Sequence, residues 1–139
     1  MTHSVMIDTG PLVAGINRND RFHTWALQEI GTVSPPLLTC EPVLTEAFFL
    51  LQHCPGGSTT LLEMMRRDIV KIAFRVDEHL EPLGKLLAKY ATVPMSLADA
   101  CLVRMSEIHS QSALMTFDSD FFVYRRFGRQ SIPLIIPGK

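Results

Sequence analysis

Apolar residues run along this chain in short blocks that alternate between a strand-like and a helix-like period. "SVMI" at residues 4–7 is a compact β-type run that stops at Asp8. Gly10 and Pro11 break it, and "LVAGI" reads as a helical turn. In residues 20–31, Phe22, Trp25, Ala26 and Ile30 fall at helical spacing, with Gly31 as the expected stop. After the Pro35-Pro36 breaker, "LLT" predicts a second strand. Pro42 suits a first helical turn, and "PVLTEAFFLLQH" predicts a helix apolar nearly all round. "CPGGS" ends it, and Ser58 is the expected cap of a helix through Arg67. "IVKIAF" predicts a third strand by its β-branched content. "EHLEPLGKLLAKYA" is an amphipathic helix with Pro82 in its first turn. Ser96 is the expected N-cap of another, with Leu97, Cys101, Met105 and Ile108 on one stripe. "ALMT" is the fourth strand, followed by a short helical turn. "IPLII" is a last strand, confined by Pro133 to an edge or a strand start.

Strands alternating with helices imply an α/β domain, a parallel sheet covered on both faces. With 139 residues and 47% hydrophobic content, residues 1–139 form one domain with a sizeable core. Some apolar surface is left over for a partner, such as a second copy of the chain. The 13 basic and 14 acidic residues give a net charge of −1, unlike a general nucleic-acid binder. A local basic patch remains open at Arg125, Arg126 and Arg129, against the plainer reading of a solvated turn. Three scattered cysteines, Cys40, Cys54 and Cys101, argue against a disulfide framework or a zinc site and for a reducing cytoplasm. No apolar run reaches the ~18 residues of a membrane span, and no secretory leader is visible.

The chemistry lies in the acids. Ligands of open α/β sheets sit beyond the carboxyl ends of the strands, near the switch in strand order. Asp8 directly follows the first strand, and Asp118 comes two residues after Thr116 at the end of the fourth. If those strands are central neighbours, both carboxylates face one crevice. Glu46 sits in the second turn of the apolar helix, where a carboxylate is costly without a cation. Asp99 lies near a helix start in "SLAD". Ordinary explanations exist for each: a turn start for Asp8, a capping box with Ser96 for Asp99, an N-cap for Asp118, a narrow polar face with Thr45 for Glu46. Together they point instead to one oxygen-lined crevice. Carboxylates crowded there either rise in pKa or share a cation. An oxygen-only donor set selects Mg²⁺ or Mn²⁺ over zinc and suits phosphate-ester chemistry.

On these segments the chain resembles the PIN-domain ribonucleases, and most closely the VapC toxins of prokaryotic toxin–antitoxin pairs. "VMIDTGPLVA" is similar to the family's opening, "LTCEPVLTEAFFLL" to its second segment, "PMSLADACLVRMSE" to its third, and "ALMTFDSDFF" to its closing T-x-D-x-D-F pattern. The four acids follow in order at spacings of 38, 53 and 19 residues. The resemblance implies a three-layer α/β/α fold around a central parallel sheet of four or five strands. It implies Mg²⁺- or Mn²⁺-dependent endoribonuclease activity leaving a 5′-phosphate and a 3′-hydroxyl. Asp8, Glu46 and Asp99 would hold metal (Asp8 and Asp99 foremost) or orient water, with Asp118 supporting. Thr9, Ser96 and Thr116 are the expected hydrogen-bonding neighbours of these carboxylates. Asp120 is the alternative fourth acid: it caps the short helix or reaches the metal through water, and Asp118 is expected to be the closer. Arg125, Arg126 and Arg129 would grip RNA phosphates. A homodimer and a small antitoxin partner are also implied.

Other readings fall away. "IDTG" matches an aspartic-protease triplet, but those folds are all β. A haloacid-dehalogenase phosphatase needs an Asp where Gly10 stands, and "GGSTT" is not a phosphate-binding P-loop. The remaining alternative is a catalytically silent PIN-like module that binds RNA or protein.

Overall fold

The computed structural model describes residues 4–138. Five parallel strands build the main sheet: β1 (Ser4–Ile7), β2 (Leu37–Thr39), β3 (Val70–Ile72), β4 (Ser112–Met115) and β7 (Leu134–Ile135), in the order β3-β2-β1-β4-β7. β5 (Arg125–Arg126) and β6 (Gln130–Ser131) form a separate antiparallel hairpin, which the sequence pattern does not announce. Helices α1 (Thr9–Ile16), α2 (His23–Thr32), α3 (Glu41–Leu50), α4 (Gly57–Arg66), α5 (Leu80–Lys89) and α6 (Leu97–Ile108) cover both faces. This is the expected three-layer α/β/α arrangement.

Alternation along the central strand sorts the core. Met6 joins Leu114, Leu83, Leu102 and Met105 on the α5–α6 side. Val5 and Ile7 join Leu12, Leu44, Leu61 and Met115 on the α1–α4 side. Strands buried on both faces are nearly continuous apolar runs, as β1, β2 and β4 are apart from Ser4, Thr39 and Ser112 at their ends. The chain steps from β1 to β2 to β3 in one direction, then crosses back through α5 and α6 to β4 on the other side of β1. The strand order therefore switches between β1 and β4.

Three local expectations are corrected. α2 runs through Gly31 and ends at Val33, whose extended backbone stops it. α4 starts behind Gly56, whose left-handed φ of 74° turns the chain into the helix, so Ser58 lies inside the first turn and caps nothing. α3 is not buried all round: Val43 enters one core, Leu44 and Ala47 the other, and Glu46, Phe49 and Leu50 are exposed. Cys40, Cys54 and Cys101 are free thiols. No helix among the described residues is long and apolar enough to cross a membrane.

Candidate active site

The β1–β4 register carries the first acid into place. Ile7 pairs with Met115, and the ladder runs one residue further as the Asp8 amide donates to the Met115 carbonyl at 2.9 Å. Asp8 thus leaves β1 beside Thr116. The Thr116 hydroxyl, fully buried, donates to Asp8 Oδ2 at 2.8 Å and accepts from the Asp118 amide at 3.0 Å. Asp8 Oδ1 accepts from the Thr9 amide at 2.8 Å, so Asp8 is also the N-cap of α1.

Asp99 is held at the start of α6 by a capping box. Its amide donates to Ser96 Oγ at 3.0 Å, and the Ser96 amide donates to Asp99 Oδ2 at 3.2 Å. The Ser96 main-chain N–H thus holds the acid, and the Ser96 hydroxyl, expected beside this carboxylate, caps the Asp99 amide and also favours the ionised acid by hydrogen bonding. Tyr124, fully buried, donates its hydroxyl to Asp99 Oδ2 at 3.3 Å. Nothing in residue type or spacing singles out Tyr124 beforehand. Asp118 caps the 3₁₀ turn Ser119–Phe122, accepting from the Asp120 amide at 2.9 Å. The cap is therefore Asp118 and not Asp120. Thr9 Oγ1 lies 3.3 Å from both Glu46 Oε2 and the Val43 carbonyl, and its one proton is shared between them.

Asp8, Glu46, Asp99, Asp118 and Asp120 line one crevice of about 510 Å³ at the carboxyl edge of the sheet, over the strand switch. Five of its twelve lining residues are acids, and none is basic. Burial pushes the Asp8 carboxyl up to about 6; the Thr116 and Thr9 hydrogen bonds oppose this, and the charges of Asp99 and Asp118 add to it. Asp99 is raised as well, first by burial and also by Asp118. Burial and the neighbouring Asp99 raise Tyr124, keeping it a neutral donor. Glu46 is exposed at the crevice mouth, so its significance is its position and not a buried charge.

The donor set fits a hard divalent cation. It is oxygen only, it carries no internal counter-charge, and its acids repel one another. Among the described residues, no three Asp, Glu, His or Cys side chains close into a ready-made metal cage. A larger cavity of about 890 Å³, lined in part by Phe74, Arg75, Leu80 and Leu97, lacks such convergence; its Arg75 is already paired with Asp77 at 2.8 Å.

The arginines do not form a cluster at this site. Arg126 is buried and donates to the Ser106 and Ser110 carbonyls and to Gln130 Oε1 at 3.2, 2.9 and 3.2 Å. It ties the β5–β6 hairpin to the C-terminal end of α6, roughly 10 Å or more from Asp99 at about 1.5 Å per helical residue. Its guanidinium is spent on main-chain carbonyls, so the expected phosphate grip is corrected for this residue. Arg125 donates to the Phe122 carbonyl at 2.9 Å, and Arg129 is exposed beside the hairpin.

A model of the PIN-domain family matches residues 5–126. No curated protein sequence matches the chain. Among solved structures, it is similar to Mycobacterium tuberculosis VapC20, described as a sarcin-ricin-loop-cleaving toxin. The TM-score is 0.74 and the identity 20%, over 84% of this chain and 92% of that one. At that identity the likeness is one of fold.

Proposed function

The chain belongs to the PIN-domain family, and on that premise we propose that it is a divalent-metal-dependent endoribonuclease, the toxin of a toxin–antitoxin pair. One observation carries the proposal. Carboxylates delivered by β1, α3, α6 and the turn after β4 line one crevice without a cation, and burial and mutual charge raise Asp8 to about 6.

Asp8 and Asp99 are the residues that would hold Mg²⁺ or Mn²⁺, with Asp118 supporting. Such an ion, when bound, polarises a phosphoryl oxygen and makes water a stronger nucleophile at neutral pH. The protein's own contribution is placement. Thr116 and the Thr9 amide fix both oxygens of Asp8. Ser96 and Tyr124 fix one oxygen of Asp99 and leave the other without a hydrogen bond among the described residues. Glu46, steadied by Thr9, orients the attacking water from the crevice mouth. Water oxygen bonds to phosphorus as the bond to the 3′ oxygen breaks. The leaving oxygen takes up a proton, giving a 3′-hydroxyl and a 5′-phosphate.

The likeness to a sarcin-ricin-loop-cleaving toxin makes a hairpin of that loop the first substrate to try. Free thiols support a reducing cytoplasm. Exposed Leu27, Phe49 and Leu62 support surfaces for a homodimer partner and for an antitoxin. The test is RNA cleavage with Mg²⁺ or Mn²⁺ that stops with EDTA. Changing partners around a metal ligand already costs 10–100-fold, so Asp8→Asn is expected to lose at least about a hundredfold. An Asp8→Asn protein with full activity overturns the metal assignment. RNA binding without metal-dependent cleavage marks a silent module.

A further inference from the structure

Phe117 walls the acidic crevice between Thr116 and Asp118, yet its ring belongs to neither core. It lies 4.8 Å from the Phe22 ring and 5.6 Å from Trp25, centroid to centroid. Glycine at position 10 leaves room for it, since a Cβ there would stand 2.7 Å from Phe117 Cδ2. Phe22 is also outside both cores. It ends the turn between α1 and α2, where its amide donates to Asp20 Oδ1 at 2.9 Å. All three rings are half-buried and leave part of their surface exposed. The rings of Phe22 and Phe117 are tilted by 41°, so neither fully covers the other. Above Phe22 sits the Arg21 guanidinium, 4.7 Å from the ring centroid. Arg21 is exposed and makes no ion pair among the described residues, and Arg18 is exposed in the same turn.

A polyanion entering a crevice of five carboxylates is repelled everywhere except at a bound cation. Its flanking nucleotide therefore needs attraction from outside the acids. Aromatic faces stack any base, and an arginine beside them adds cation–π and phosphate contacts. Phe117 is the one aromatic residue on the crevice lining, and Phe22, with Arg21 over it, packs against Phe117 from beyond that lining.

We propose that Phe22 and Phe117 form a stacking platform for an unpaired base next to the scissile phosphate, with Arg21 meeting the adjoining phosphate. The proposal rests on the ribonuclease reading for its substrate. The competing account is that the rings merely pin the α1–α2 turn to β4.

The single tryptophan, Trp25, is a built-in reporter. Titrating the full chain with an eight-uridine oligoribonucleotide in EDTA is expected to change its emission. Stacking strengths make Phe22→Leu raise the dissociation constant roughly 5- to 100-fold, and Phe22→Tyr restore it. Arg21→Ala is expected to reduce the salt slope of binding by about one. With Mg²⁺, Phe22→Leu raises KM and leaves kcat unchanged. An abasic oligomer of equal charge should bind wild type and Phe22→Leu alike. The platform is overturned by no emission change with unaltered affinity, by equal losses for the abasic oligomer, or by failure of Phe22→Tyr to restore binding. Wild-type protein that cleaves with a KM indifferent to Phe22→Leu sinks the platform and leaves the nuclease reading standing. Phe22-dependent binding without any cleavage sinks the nuclease reading and keeps the platform.

Discussion

Replacing Asp8 with Asn should make the metal-free protein more stable at pH 7.5 while abolishing its activity. An aspartate raised from 3.8 to about 6 is penalised when ionised by roughly 3 kcal/mol, at 1.36 kcal/mol per pKa unit. The sign follows from proton binding. Between the two values the folded protein holds the proton and the unfolded chain does not, so stability falls as pH rises through that window. The penalty is complete above about pH 6 and absent below about pH 4. Asn removes it, but the Thr116 hydroxyl loses a carboxylate acceptor, a loss of about 1 kcal/mol. The net gain is about 2 kcal/mol. For a domain of this size that is about 5–8 °C in melting temperature. Thermal melts in EDTA at pH 4 and pH 7.5 read both terms: the gain should be large at pH 7.5 and vanish or reverse at pH 4. Mg²⁺ should then stabilise wild type by mass action and leave Asp8→Asn unmoved. A variant less stable than wild type at pH 7.5, or a difference independent of pH, refutes the reading that burial of the Asp8 charge, aided by its acidic neighbours, stores this penalty.

Thr116→Val keeps the shape but removes the proton given to Asp8 and the acceptor for the Asp118 amide. The acid limb of the pH–rate profile should move up by about one pH unit, since a hydrogen bond to a charged group is worth about 1.5–3 kcal/mol. Arg126→Met strands the Ser106 and Ser110 carbonyls and should destabilise by about 2–4 kcal/mol in urea melts, within the range of broken buried polar contacts. RNA affinity of the folded Arg126→Met protein should stay unchanged, because the guanidinium faces α6. Isothermal titration with Mn²⁺ should find Asp118→Asn weaker than Asp120→Asn, since the Asp118 charge acts on both Asp8 and Asp99; the reverse order swaps their roles.

The alternation of elements was legible because each central strand is a mostly apolar run ended by a polar residue or a turn. The positions of Asp8 and Asp118 followed from that ending, through the general rule that parallel sheets gather chemistry at their carboxyl edge. Glu46 was placed correctly on α3 but for the wrong physical reason. The argument equated apolar neighbours with burial, and Phe49 and Leu50 stand exposed beside it. Arg126 was misjudged because its partners are main-chain carbonyls at a helix end, which leave no trace in side-chain pattern. The β5–β6 hairpin is two residues per strand, too short for any period to register.

The choice between capping and chemistry, posed separately for each acid, proves to be a false one. Asp8 caps α1, Asp99 closes the box at the start of α6, and Asp118 caps the turn after β4. Each spends oxygens on backbone N–H groups at the start of a helical segment, where the partial positive charge of unpaired amides favours a carboxylate. α1 and the turn after β4 begin directly past parallel strands, and α6, which leads back into β4, begins at the same carboxyl edge, so the fold itself gathers cap residues around one crevice. Capping then orients the carboxylates before any ligand arrives, and it offsets part of the cost of their burial and of their repulsion. Asp8 shows that the offset is incomplete: with both oxygens hydrogen-bonded, its carboxyl still sits at about 6. A bound divalent cation would relieve the remainder, so the proposed metal site falls on the same three caps that hold the helix starts in place.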